Sequence, residues 1–242
     1  MIQYPISLNT ITLAEAIQKA SQVAIAKVAL DLPPDSVFDV LQRSGIGEYV
    51  GTGLPGEVVG MFSNVGAQSR VSRAAMAYGY GFTVTPLQLA AAYVTLAGHG
   101  NRLPLSILKQ DRAPVPERVF DADHAREVVS MMERVTQRGG TATYAGIDDY
   151  RVAGKTGTAR VLGQDGYDDE RHVAWFAGLV PASDPRIVMV VLINEPDSER
   201  TSGGKVAAPI FARVAERSLR LLGVPPDNMA DNGPGLLARR PE

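Results

Sequence analysis

The stretch Arg151-Val152-Ala153-Gly154-Lys155-Thr156-Gly157-Thr158-Ala159-Arg160-Val161 decides the fold. It reads as a strand. Two further strand-like runs follow, Val173 to Val180 and Arg186 to Asn194. Turn residues separate the three, and no helix-length segment lies between them, so antiparallel pairing is favoured. Pro209 to Leu222 then reads as a closing helix, with Phe211, Val214 and Leu221 apolar. Helices on the faces of an antiparallel sheet make an α+β domain.

Toward the N-terminus, helices dominate. Thr12 caps one, and Glu15 three residues later completes a capping box. Leu13, Ile17, Val23, Ile25, Val28 and Leu30 keep that helix apolar over much of its surface, which predicts burial. Asp31-Leu32-Pro33-Pro34 stops it. Pro34 to Ser44 is a second helix, with Val37, Phe38, Val40 and Leu41 inward and Gly45 as its stop. Gly45 to Gly66 is rich in glycine and reads as a long surface loop, a length that suggests a functional edge. Val71 to Tyr78 is a short helix. Thr85, with Pro86 behind it, opens a long helix ending at Gly98. Pro104 to Asp111 reads as a strand. Asp121 caps a helix through Val128, Met131, Met132 and Val135, ended by Gly139-Gly140. The charged run Asp165 to Arg171 reads as a solvated hairpin loop, and Pro225 to Glu242 as a loose tail.

Composition narrows the function classes. The chain has 242 residues, 45% hydrophobic and 21% charged, as folded globular chains do. A net charge of −2 gives no general pull toward nucleic acid or anionic lipid. No apolar run approaches the roughly 20 residues that cross a bilayer. There is no cysteine, which excludes disulfides and thiol catalysis. His99, His124 and His172 stand far apart without ligand spacing, so no metal site is expected.

The chemistry concentrates in Lys155-Thr156-Gly157-Thr158. Alternation puts Lys155 and Gly157 on one face of the strand, and Thr156 and Thr158 on the other. Gly154 and Gly157 carry no side chain, so another backbone can come close. A strand at a sheet edge offers unpaired N–H and C=O groups to an extended peptide. An ammonium and two hydroxyls on such an edge suit a peptide with a free carboxylate. The plainer alternative makes Lys155 a surface lysine beside a tight bend. Trp175 and Phe176 read as core or cleft-wall aromatics, Tyr78 and Tyr80 as packing residues, and His172 as a surface histidine at a strand start.

Lys-Thr-Gly on a strand resembles an element of the penicillin-binding proteins and serine β-lactamases. More of the chain is similar to that family. Tyr78-Gly-Tyr-Gly-Phe-Thr-Val-Thr-Pro-Leu-Gln-Leu-Ala resembles a run in class B penicillin-binding proteins. So do Gly139-Gly140-Thr141-Ala142, Ala174-Trp175-Phe176-Ala177-Gly178 and Ala207-Ala208-Pro209-Ile210-Phe211, in order. The resemblance runs over about residues 5 to 224 and is nearest to the division-specific transpeptidase.

The resemblance implies acyl transfer on the D-Ala-D-Ala end of a peptidoglycan stem peptide, through a serine of a Ser-x-x-Lys element. β-Lactams imitate that end. Lys155 would stand near the substrate carboxylate. Thr156 and Thr158 would hydrogen-bond it, the Thr158 N–H would form half of an oxyanion hole, and Gly157 would let the substrate backbone approach. No cofactor or metal is implied. Divisome proteins are the implied partners and the periplasmic side of the inner membrane the implied location. The family's Ser-x-Asn falls at Ala20-Ser21-Gln22. Ala20 cannot relay a proton, Gln22 keeps the amide one methylene farther out, and Ser21 points about 100° away if the helix is continuous.

Two Ser-x-x-Lys matches exist, Ser106-Ile107-Leu108-Lys109 in the expected strand and Ser202-Gly203-Gly204-Lys205 in a glycine loop. The chemistry needs both groups on one face of a helix start, so both read as accidental, as does Ser63-Asn64. The expectation is therefore that residues 1–224 form the C-terminal portion of a transpeptidase domain whose nucleophile lies outside the chain. Such a portion should expose a sheet edge and an apolar face, and self-associate. A catalytically inactive peptide- or partner-binding protein is the alternative, favoured by Ala20 and Gln22. Nothing supplies the deacylating base of a β-lactamase.

Overall fold

Three antiparallel strands carry the rest of the chain: β3 (Ala153–Gly163), β4 (Gly166–Val180) and β5 (Ile187–Asn194), in the order β3-β4-β5. The structure, a computed structural model, describes residues 10–64, 69–163, 166–197 and 201–228. Lys155 lies opposite Ala177, Thr156 opposite Phe176 and Gly157 opposite Trp175. Opposed residues share a face, so the two faces can be read directly. Phe176 and Val180, with Ile187, Met189, Val191 and Ile193, face α8 (Ala208–Leu221) and its Phe211, Ala215 and Leu219. Ala177 and Leu179, with Val188 and Val190, face α5 (Pro86–Ala97) and α6 (Ala122–Glu133) through Tyr93, Val129 and Met132. Packing on both faces explains the apolar run Ile187 to Val191, while Leu192 is exposed. Phe176 and Phe211 cross edge to face at 4.9 Å at the centre of the α8 layer.

The caps expected at Thr12, Thr85 and Asp121 all form. The Thr85 box does more than start a helix. Gln88 is buried, its Oε1 accepts from the Thr85 N–H at 2.9 Å, and its amide donates to the Glu48 carbonyl at 2.8 Å. The long glycine-rich loop is thereby pinned to α5. Within it, Glu57 accepts from the amides of Val50, Gly51 and Thr52 at 2.6, 3.1 and 3.0 Å. Tyr78 and Tyr80 pack against each other edge to face.

Several expectations are corrected. The helix from Thr12 to Leu30 is two helices, α1 (Leu13–Gln18) and α2 (Gln22–Asp31). Between them Ala20 takes φ +53°. The Ser21 N–H bonds the Ala16 carbonyl and the Ala20 N–H bonds that of Ile17, the double closure that ends a helix at a left-handed residue. Ser21 then caps α2 through Ala24. Burial falls to Ala16, Ala26 and Ala29 rather than to the large residues, and Leu13 and Val28 are exposed. In α3 (Ser36–Arg43) Val40 is also exposed.

Pro104 to Asp111 is not a strand. The two short strands are β1 (Asn101–Arg102) and β2 (Glu117–Arg118), paired to each other. Ser106 instead closes a turn onto Leu108. Residues 166–171 are not a loop but the start of β4, and Asp165 lies outside the described residues. Gly203 and Gly204 open a short helix, α7 (Gly203–Val206). Val224 to Asn228, partly assigned to a loose tail, are bonded to the body: Tyr150 Oη donates to the Val224 carbonyl at 2.7 Å, and Asp227 accepts from the Arg151 N–H at 2.7 Å. The remainder of that tail lies outside the described residues.

Candidate functional site

Edge position is what makes β3 available. Its inner side pairs with β4, and no strand pairs with its outer side among the described residues. An antiparallel edge strand turns alternate N–H and C=O groups outward. Lys155, Thr156, Gly157 and Thr158 lie on this edge, and the lysine and the threonines flank it from opposite faces.

Lys155 is not a freely solvated surface lysine. It is partly buried, and Nζ donates to the Thr156 carbonyl at 3.1 Å. Burial pushes its ammonium down to about 8, and no carboxylate among the described residues offsets the water it has lost. The group is thus set to gain from any anion that reaches it.

The hydroxyls on the other face are held from behind. Thr158 is exposed, and its Oγ1 accepts from the Gly203 N–H at 3.3 Å. Thr156 Oγ1 lies 2.9 Å from Thr141 Oγ1. A hydroxyl that accepts from a fixed amide keeps its own proton free to donate outward, so Thr158 is a donor prepared for an anion. The start of α7 comes this close because Gly203 and Gly204 have no side chains. A Cβ on Gly203 would stand 2.7 Å from the Gly157 carbonyl oxygen and 2.9 Å from the Trp175 carbonyl carbon. Sequence reading missed Thr141 and Gly203 as parts of the site, although Gly139-Gly140-Thr141 and the Gly-Gly pair were visible.

Gly157 serves a second purpose. The half-buried Trp175 ring lies where its side chain would be: an added Cβ would meet Trp175 Nε1 at 2.5 Å and the ring carbons closer still. Phe176 is core, as expected, and a Cβ on Gly154 would stand 2.9 Å from its Cε2. His172 is half-buried within β4, opposite Arg160, rather than at a strand start.

The remaining candidates separate. Gln22 opens α2 with its side chain exposed, and it makes no side-chain hydrogen bond among the described residues. Ser21, expected to point aside on a continuous helix, is buried at the cap. Ser106 is tied into its turn, with Gln110 Nε2 donating to it at 2.7 Å. Ser202 is the N-cap of α7, but Lys205 is exposed and lies on a helix of only four residues. Asn64 donates to Asp35 at 3.2 Å, a loop contact.

Comparison with known proteins matches residues 2–216 to the penicillin binding protein transpeptidase domain. The peptidoglycan D,D-transpeptidase FtsI of Escherichia coli K12 is 43% identical over 220 residues, covering 90% of this chain and 37% of that protein. The probable peptidoglycan D,D-transpeptidase PenA of Neisseria gonorrhoeae is 40% identical over 209 residues, covering 86% of this chain and 36% of that protein. Among solved structures, the apo TP domain of Burkholderia pseudomallei penicillin-binding protein 3 superposes with a TM-score of 0.84 at 36% identity, covering 90% of this chain and 66% of that one. Penicillin binding protein 3 of Mycobacterium tuberculosis, complexed with aztreonam, gives 0.81 at 30% identity, covering 89% of this chain and 52% of that one. The chain spans a little over a third of the length of these curated relatives.

Proposed function

The chain belongs to the penicillin-binding protein transpeptidase family, and we propose that it is the carboxylate-recognising part of a peptidoglycan D,D-transpeptidase site. Its substrate is the D-Ala-D-Ala end of a stem peptide. Lys155 supplies the positive charge for the terminal carboxylate. Thr156 and Thr158 donate hydroxyl hydrogen bonds to it. The Thr158 N–H is one oxyanion donor, and Gly157 keeps the edge thin enough for the substrate backbone. Gln22, exposed on the first turn of α2, offers its amide to the peptide.

In the reaction, a serine oxygen bonds the penultimate D-alanine carbonyl carbon, the peptide C–N bond breaks, and D-alanine leaves with a proton. The amine of a second stem then displaces the serine. Neither Ser106 nor Ser202 suits that step, so this reading takes the nucleophile from a Ser-x-x-Lys element other than these two. β-Lactams bind the same edge. A septal role, divisome partners and a place on the periplasmic side of the inner membrane belong to this reading. No described helix is long and apolar enough to cross a membrane.

One observation carries the proposal: Lys155 and the donor-ready Thr158 flank a single strand edge that is unpaired among the described residues, with the hydroxyl held by Gly203. The test is the intact mass of the 242-residue chain after incubation with benzylpenicillin. No covalent adduct is expected. An adduct mapping to Ser21, Ser106 or Ser202 would overturn the placement of the nucleophile. A second reading, a binding protein without turnover, is favoured by Ala20 at the position of the family's serine hydroxyl. It predicts that Ala20→Ser changes no rate in any longer form of the protein.

A further inference from the structure

We infer that the segment Val224–Asn228 is a clasp that sets the position of the Lys155 strand, with Asp227 as its positioning residue. Four consecutive residues leading toward β3, Asp148 to Arg151, are gripped one after another. Asn228 donates to the carbonyls of Asp148 (from Nδ2, 2.8 Å) and Asp149 (from its backbone N–H, 3.1 Å). Tyr150 Oη, which is buried, donates to the Val224 carbonyl at 2.7 Å. Asp227 Oδ1 accepts from the Arg151 N–H at 2.7 Å. Its Oδ2 accepts from the Ser183 N–H at 3.2 Å and the Ser183 hydroxyl at 2.6 Å.

Asp227 therefore adds a side-chain tie between two pieces of chain, the lead-in to β3 and the turn between β4 and β5. The Ala182 N–H to Arg151 carbonyl bond, at 2.8 Å, lies beside it. Glu133 holds the Arg151 guanidinium with two bonds, at 2.9 and 2.7 Å, and Thr136 Oγ1 donates to the Val152 carbonyl at 2.9 Å. Arg151 is four residues from Lys155 along an extended chain, so a shift in its backbone passes directly into the register of the reactive residues. A carboxylate accepting three bonds at once is a strong fixing point, since charge-assisted bonds exceed neutral ones. The short span after α8 thus acts on the site although it lies outside it.

The test is amide hydrogen exchange on the full 242-residue chain, comparing the parent with Asp227→Asn and Asp227→Ala. Asp184→Asn, at an exposed carboxylate in the same turn, is the control. The clasp predicts at least tenfold faster exchange over residues 152–158 in Asp227→Ala, and a smaller rise in Asp227→Asn. Residues 188–193 of β5 and the control should be unchanged. Unchanged exchange over 152–158, or an equal rise in β3 and β5, would overturn it. The effect on ligand binding rests on the proposed function: Asp227→Asn should weaken D-alanyl-D-alanine binding several-fold. If the parent chain does not bind that dipeptide, the functional reading fails, while the exchange result still decides the clasp.

Discussion

Replacing Gly157 by alanine tests the way the candidate site is packed. An added Cβ would stand 2.5 Å from Trp175 Nε1, with Cε2 and Cζ2 nearer. Carbon atoms rest at about 3.5–4.0 Å, so the ring must retreat by about 1 Å or more, or the β3–β4 pair must part. Overpacking of this kind costs about 1–3 kcal/mol. For a domain of this size that lowers the melting temperature by about 3–10 °C. Trp175 is the chain's single tryptophan, so its emission reports on this one contact. Gly157→Ala should shift that emission to the red and lower the thermal midpoint. Combined with Trp175→Ala, the alanine should be nearly harmless, giving a coupling of about 1 kcal/mol or more in a double-mutant cycle. Unchanged emission, an unchanged midpoint and additive effects would refute the claim that the indole fills the space left by Gly157.

Three further perturbations address other parts of the structure. The Lys155 ammonium, pushed down to about 8 by burial, is held below its ordinary value, so the folded state loses that proton before the unfolded chain does. Its charge is a full burden below pH 8, and the burden lifts between pH 8 and the ordinary lysine value. Lys155→Met should therefore be more stable than the parent by about 2–3 kcal/mol at pH 7, with the gap closing above about pH 10 in denaturant titrations. Tyr150→Phe removes the hydroxyl bonded to the Val224 carbonyl and should cost about 1–2 kcal/mol by the same measurement, because a buried carbonyl is left unmatched. Glu57 is held below the usual carboxylate value by the Thr52 hydroxyl and by the amides of residues 50–52. Its hold on the loop should persist above pH 4.5 and be lost as pH falls below it. Amide chemical shifts of Val50 to Thr52 should titrate with a midpoint under 4.5, and the titration should vanish in Glu57→Gln.

The strand at Lys155 was legible because its signals are local: alternation, bounding turns and two glycines. The caps at Thr12, Thr85 and Asp121 were legible for the same reason. The break at Ala20 was not, because a left-handed helix end is usually marked by glycine. Alanine gives no such sign, and only Ser21, a good cap, could have announced the second helix. Residues 166–171 looked like a loop because the run is charged and shows no apolar alternation. Ser106 sits in a turn that its own hydroxyl closes, an option open to serine in any polar stretch.

The parts of the site held by distant contacts were the hardest to see. Gly203-Gly204 has poor helix propensity, yet close approach to β3 requires the pair. Asp227 and Asn228 look like tail residues until their partners Arg151, Ser183 and Asp148 are known. Those partners lie 44 to 80 positions away in sequence.

The central claim is that the β3 edge recognises a D-Ala-D-Ala carboxylate. Titrating the 15N-labelled chain with D-alanyl-D-alanine, and following the backbone amides, tests it most directly. Saturable shifts centred on Lys155 to Thr158 and Gly203 are predicted, and they should be lost in Lys155→Met. Shifts centred elsewhere, or none at concentrations that saturate a weak peptide site, would contradict the claim.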